Sequence, residues 1–381
     1  MDLDADVVVI GAGMAGASVS YWLAPHARVL LLERESQPGY HSTGRSAALF
    51  SESYGPPQVR ALSRASRAFF DAPPDGFAEF PVLSRRGAMM VATHAQEKEL
   101  QEHWQVVRQL AAHGQLLDAK GARALTPVLR EDKLLGAVYD PDAADMDVHA
   151  IHQGFLRGLR RAGSSVLSDA GVTAIRRVGN VWEVSTTGGR TVQAPLLVNA
   201  AGAWADEVGA LAGAASIGLQ PKRRSAFIFA PPPEHASAGW PMTVGVGEDW
   251  YIKPDAGMLL GSPANADPVP PHDVQAEELD IAIAIDRIQE MTTLTIRRPT
   301  RVWAGLRSFV SDGELVGGWD TQAPGFFWVA AQGGYGIQTA PAMAEACAAL
   351  IRGLPLPERI AAFGLSAEAL SPARPSLIPS P

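Results

Sequence analysis

Apolar residues open the chain in short runs separated by glycine. Asp6 leads into the run VVVI, GAGMAG follows, ASVSYWLA continues with small and apolar residues, and RVLLLER returns to a buried-strand pattern. Runs of this length bounded by turn residues predict strand, glycine turn, helix and strand in that order. Towards the other end, GFFWVAAQGGYGIQTAPAMAEACAALI repeats the order strand, glycine turn, helix and closes at Gly353. No internal repeat is visible beyond these two similar units.

The pattern changes between them. Residues 54–83 read mostly helical, with Leu62, Ala65, Phe69 and Phe70 near helical spacing, and GAMMVAT then reads as a strand. Glu97 to His113 predicts an amphipathic helix, and DAKGARALTP ends in a proline that stops any helix before it. From Ser165 to Gly202, Gly-Asn and Gly-Gly separate runs of strand composition as hairpin turns do, which predicts a β-meander returning to a buried strand. From Lys222 to Gly261 strands alternate with the proline-rich APPPEHASAGWP, and Asp273 to Met291 predicts one long amphipathic helix. The two ends therefore read as one nucleotide-binding domain, residues 1–75, 145–215 and 320–381. A second domain, residues 76–144 and 216–319, interrupts it.

Length and composition agree with two packed domains: 381 residues, 47% hydrophobic and 19% charged. A net charge of −8 argues against nucleic acid as a partner. No apolar run approaches the roughly 20 residues that span a bilayer. The single cysteine, Cys347, excludes an internal disulfide or a cysteine-rich zinc site, so no metal is expected. No basic segment followed by an apolar one opens the chain, which reads as cytoplasmic.

Candidate chemistry begins at Gly11, Gly13 and Gly16, a GxGxxG placed between strand and helix. The first glycine suits the tight turn, the second admits a pyrophosphate to the backbone, and the third lets helix and strand approach. Met14 and Ala15 then lie at a helix N-terminus, where unpaired N–H groups and a partial positive charge favour an anion. Glu33, followed by Arg34, ends the second strand where a carboxylate can accept from both hydroxyls of an adenosine ribose. After it comes HSTGRSAALFSESYG, residues 41–55, too rich in small and polar residues for a core strand and too poor in charge for a solvated linker.

The motifs DVVVIGAGMAGAS, LLLERE, STGRSAA, LVNAAGAWAD, YIKPDAGMLLGSP, WAGLRSF and QGGYGIQTAPA resemble, in this order, the D-amino acid oxidase superfamily of FAD enzymes. The similarity is greatest to its glycine oxidase and D-arginine dehydrogenase branch. The resemblance implies an α/β fold: a Rossmann-like FAD-binding domain with an inserted α+β substrate-binding domain. It implies that Ser42, Thr43, Gly44, Arg45, Ser46, Ala47 and Ala48 run past the flavin and its ribityl-phosphate chain. Val172 would meet the adenine through its backbone, and Ala200, Gly202 and Trp204 would complete the floor. Gly333, Gly334, Tyr335, Gly336, Ile337 and Gln338 would form a turn whose following helix points its N-terminus at the flavin, favouring the anionic reduced form. Cys347 does not match the cysteine that links flavin covalently in sarcosine oxidases, so non-covalent FAD is expected.

By the same resemblance Arg307 holds the substrate carboxylate, with Tyr251 and Arg223 as further contacts. Tyr54 sits on a lid and the Gly334 carbonyl accepts the amine. The implied reaction passes hydride from Cα to flavin N5, and water hydrolyses the imine to a 2-oxo acid and ammonia. The resemblance leaves open oxidation of a secondary amine such as sarcosine, glycine or proline, or of a 2-hydroxy acid. It also leaves open a flavoprotein subunit that needs a partner chain, and either oxygen or a quinone or other carrier as electron acceptor. Members acting on D-arginine place a carboxylate where this chain has Ala88 and a histidine where it has Leu49. That departure predicts neutral and apolar side chains over cationic ones, because a buried cation there would be unpaired.

Overall fold

A computed structural model describes residues 4–377. Val7–Ile10 forms the centre of a six-stranded sheet, with Leu196–Asn199 on one side and Val29–Leu32 on the other, both parallel to it. Phe326–Ala330 and Ser165–Leu167 extend the sheet outward in parallel, and only Val316–Trp319 runs antiparallel at one edge. The unbroken apolar run VVVI is explained by burial on both faces. The helices Met14–Leu23, Val148–Arg161 and Ala340–Ile351 pack on one face. On the other lies the meander Val172–Val178, Val181–Thr186, Thr191–Ala194. Because the sheet grows from Val7–Ile10 to one side through Val29–Leu32 and Ser165–Leu167 and then to the other through Leu196–Asn199, the turn after Val7–Ile10 opens at the switch in strand order, where open α/β sheets leave a crevice.

A second sheet has nine strands. Its order runs from Asp267–Pro268 through Gln220–Phe229, Met258–Ser262, Tyr251–Asp255, Met242–Gly245, Ala88–Thr93 and Leu134–Asp140 to Gln115–Asp118. Arg301–Phe309 pairs antiparallel along Gln220–Phe229. The helix Glu278–Met291 covers this sheet through Ile281, Ala284 and Ile288. A small third sheet, Leu49–Phe50, Ala144–Met146 and Leu83–Arg85, joins segments that lead into and out of the large one.

Three elements are shorter than the sequence predicts. The helix expected over residues 54–83 is confined to Pro57–Asp71, since Pro57 fixes its first turn and Ala72 precedes Pro73 and is extended out of the helical region. The helix expected from Asp273 begins at Glu278, and the one expected to reach His113 ends at Leu110. In each case apolar spacing carries on past the residues that break the backbone pattern. Among the described residues, no helix is long and apolar enough to cross a membrane.

Candidate active site

A cavity of about 680 Å³ runs from the first glycine turn to the large sheet. Its volume lies within the range of small-molecule and cofactor sites. At the first turn the three glycines do different things. Gly11 has φ +97°, and a Cβ there would lie 2.5 Å from the Ala200 carbonyl oxygen; a Cβ on Gly16 would lie 1.8 Å from that of Gly11. On Gly13 a Cβ would meet nothing closer than Thr43 Oγ1 at 3.4 Å, and Gly13 lines the cavity. Two glycines thus hold helix to strand and the middle one leaves space, as a pyrophosphate requires. Met14 and Ala15 line the same end, and the Met14 N–H is held by Thr43 Oγ1 at 3.0 Å.

Glu33 is 7% exposed and each of its oxygens already accepts one backbone N–H, from Ala12 at 3.0 Å and Glu35 at 2.9 Å. A carboxylate offers about four acceptor positions, so this leaves two for ribose hydroxyls on a side chain that cannot swing. Arg34 lies over the Trp204 ring at 4.6 Å, and Val172, Ala200 and Gly202 line the cavity nearby. These features fit an adenosine diphosphate moiety.

The strap 41–48 then crosses to the second sheet, but its side chains do not all face the cavity core. Ser42 Oγ donates to the Leu306 carbonyl at 2.7 Å, and Arg45 donates to the carbonyls of Val274 and Ala304 and to Asp273. In return Trp303 Nε1 donates to the Arg45 carbonyl and Lys253 Nζ to that of Ala47, at 3.0 and 2.8 Å. Ser42, Thr43 and Arg45 still line the space, together with the small residues Ser46, Ala47 and Ala48. Ala48 adopts φ +39°, a strained value for alanine held by this web of bonds. Gly44 lies outside the cavity lining.

At the far end the second glycine turn brings Gly333, Gly334, Gly336, Ile337 and Gln338 to the wall. Gly333 has φ +53°, and a Cβ on Gly334 would lie 2.8 Å from Arg307 Nη1. A side chain on Gly334 would therefore displace the Arg307 guanidinium from its present place. Tyr335 turns away from the lining and packs edge-on against Tyr54 and Phe309. The following helix starts only at Ala340.

Arg307, Tyr54 and Tyr251 converge here, and Arg223 does not. In the antiparallel register Lys222 faces Arg307 and Arg223 faces Leu306, so alternation puts Arg224, not Arg223, on the face of Arg307. Arg223 points to the other side, where it pairs with Asp280 at 2.9 Å and with Glu277. Arg224 pairs across the ladder with Gly305 and donates to the Asn265 carbonyl at 2.7 Å. Burial and the neighbouring Arg307 guanidinium pull the Arg224 pKa down. Burial also opposes the charge on Arg307, but the Tyr54 and Tyr251 phenols beside it outweigh that and raise its pKa. Burial pushes the Tyr54 phenol up, so it stays protonated. Among the described residues neither Arg224 nor Arg307 has an ion-pair partner; two half-buried like charges facing one cavity call for an anion.

The remaining wall holds Leu49, Ala88, Met90, Met242 and Val244, and with them Ser51, Ser53, His103 and Asp140. The sequence reading missed the polar members and Arg224. Burial, and after it Arg60, lowers the His103 pKa to about 4, so the ring is neutral near pH 7. Glu248 accepts from the Tyr54 hydroxyl at 3.3 Å at the cavity mouth. Cys347 lies buried in the helix Ala340–Ile351, away from the cavity lining.

A family model described as FAD dependent oxidoreductase matches residues 6–350. The chain is 28% identical over 214 residues to mitochondrial dimethylglycine dehydrogenase of Rattus norvegicus, covering 55% of this chain and 25% of that protein. It thus spans about a quarter of that relative. It is 27% identical over 269 residues to glycine oxidase of Geobacillus kaustophilus, covering 68% of this chain and 69% of the relative. The crystal structure of glycine oxidase from Geobacillus kaustophilus superposes with a TM-score of 0.79 at 23% identity, covering 92% of this chain and 95% of that one.

Proposed function

The chain belongs to the DAO family of FAD-dependent oxidoreductases, and from that premise we propose that it oxidatively deaminates D-amino acids with neutral side chains. The observation that carries this reading is the pair Arg224 and Arg307, two guanidinium groups beside Tyr54 and Tyr251 that make no ion pair among the described residues, Glu248 acting on Arg224 only from beyond contact. An α-carboxylate supplies the missing charge, and a bidentate pair with Arg307 fixes its orientation as well. FAD, when bound, supplies the two-electron acceptor for the hydride leaving Cα.

The protein's own residues bind and orient. Arg307, Arg224 and the Tyr251 phenol hold the carboxylate, and the Gly334 carbonyl accepts from the neutral amine. Tyr54 covers the mouth, tied to Glu248. The reading needs no obligatory base, because the amine enters neutral and proximity supplies much of the rate. Leu49 and Ala88 support the preference for neutral over cationic side chains. Preference for the D-enantiomer rests on the family resemblance, and the sole cysteine's distance from the cavity lining supports non-covalent FAD.

Two arginines one residue apart give separable results. Arg224→Ala is expected to raise KM about a hundredfold with flavin retained, the loss of a charge-assisted bond worth about 3 kcal/mol. Arg223→Ala is expected to leave KM near that of the wild type and to lower unfolding free energy by about 3 kcal/mol, because it strands Asp280. Steady-state kinetics beside thermal unfolding tell them apart.

Flavin bleaching without oxygen, scored across D-amino acids, L-amino acids, sarcosine, proline and 2-hydroxy acids, tests the whole reading. Fastest reduction by neutral D-amino acids is expected. Highest kcat/KM for D-arginine or D-lysine would sink the side-chain assignment, and reduction by secondary amines alone would favour the second reading, to which the dimethylglycine dehydrogenase similarity points. Repeating turnover in air and with an artificial acceptor shows which acceptor serves and whether the single chain suffices.

A further inference from the structure

The side-chain end of the cavity is not wholly apolar. Leu49, in the strand Leu49–Phe50, and Ser51 and Ser53, in the turn that follows it, all line the cavity. Ser51 and Ser53, 6% and 5% exposed, bring their hydroxyl oxygens to 3.0 Å from each other. Each also approaches the same oxygen of Asp140, Oδ2, at 3.3 and 3.2 Å. Asp140 is 6% exposed, ends the strand Leu134–Asp140 directly opposite Ala88, and lines the cavity too.

Counting protons shows what this triangle lacks. Three oxygen–oxygen contacts share only two hydroxyl hydrogens, since each serine donates once. Asp140 Oδ1 takes the Asp142 N–H at 3.0 Å, and no cation pairs with Asp140 among the described residues. The third contact needs a proton on the carboxyl or a donor from outside. Burial pushes the Asp140 carboxyl up, against the bonds from Asp142, Ser53 and Ser51. The two hydroxyls and the carboxyl together can both donate to and accept from a neutral polar group.

We propose that Ser51, Ser53 and Asp140 receive the substrate side chain and select short amino acids ending in a hydroxyl or carboxamide. This rests on the reading of the cavity as a site of amino acid oxidation and narrows it. Ala88 and Leu49 leave the space, and the triangle supplies the hydrogen bonds. A purely apolar side chain of the same shape would desolvate three polar groups and return nothing.

Pairs of matched shape test it on the holoenzyme: D-threonine against D-valine, and D-asparagine against D-leucine, by anaerobic flavin reduction. The polar member is expected to have at least tenfold higher kcat/KM in each pair. In Asp140→Leu, with flavin content and absorbance checked, both ratios are expected to fall at least tenfold. Because ratios are compared, a general loss of activity does not imitate the effect. Wild-type ratios at or below one overturn the proposal even if the variant fails to fold, as do ratios unmoved in a folded variant. Failure of every amino acid to reduce the flavin defeats the broader reading and this one together, a result distinct from reduction without preference.

Discussion

Arg307→Ala is expected to lower kcat/KM by about a thousandfold while the protein keeps its flavin. The side chain packs against Gly334 and stands beside two phenols, with no ion-pair partner among the described residues. Removing it strips the substrate carboxylate of its bidentate partner and leaves Arg224 alone to hold it off-axis. Truncating one member of a buried, hydrogen-bonded charge pair costs about 3–5 kcal/mol, and each 1.36 kcal/mol is a factor of ten. The loss should appear in kcat as well as KM, because a carboxylate held by one point no longer aims Cα. Arg307→Lys should recover little of it, since an ammonium cannot grip both oxygens in a plane. A loss under tenfold, measured by anaerobic single turnover, would show that the carboxylate sits elsewhere.

The second large effect separates two glycines of one motif. Gly13→Val is expected to yield a folded protein almost without flavin. Its backbone, φ −71° and ψ −171°, is open to any residue, and the only close neighbour of a new Cβ is Thr43 Oγ1. The side chain would instead fill the space against which a pyrophosphate must lie, lowering FAD affinity at least about a hundredfold, or roughly 3 kcal/mol. Gly16→Val is expected not to fold, because its Cβ would coincide with the Gly11 carbonyl and force helix and strand apart, at a cost exceeding about 4 kcal/mol. Flavin content per chain and a thermal melt read both. A Gly13→Val protein with full flavin would remove this turn from the cofactor site.

What the sequence disclosed and what it concealed follow from distance along the chain. The two glycine turns and Glu33 were legible because strand, turn and helix are neighbours, and their chemistry needs only local order. Arg223 and Arg224 were not separable, since which of them faces the cavity depends on pairing with Arg301–Phe309, some eighty positions further on. Once that register is known, alternation decides at once. Asp140 and His103 carried no local motif at all: they arrive from the strand Leu134–Asp140 and the helix Glu97–Leu110, and only the folded protein sets Asp140 beside Ser53 and brings His103 to the cavity wall. The overlong helix at 54–83 has the opposite cause, an apolar rhythm read past the prolines that end it.

The strap has one more consequence. Arg301–Phe309 lies at the margin of the large sheet, with Gln220–Phe229 on one side only. The carbonyls of Ala304 and Leu306 on its open side are taken by Arg45 and Ser42. A bare strand margin is a template on which another chain can add itself. The strap that lines the cavity therefore also shields the protein from itself, and a change that lifts it would turn a local defect into a tendency to aggregate.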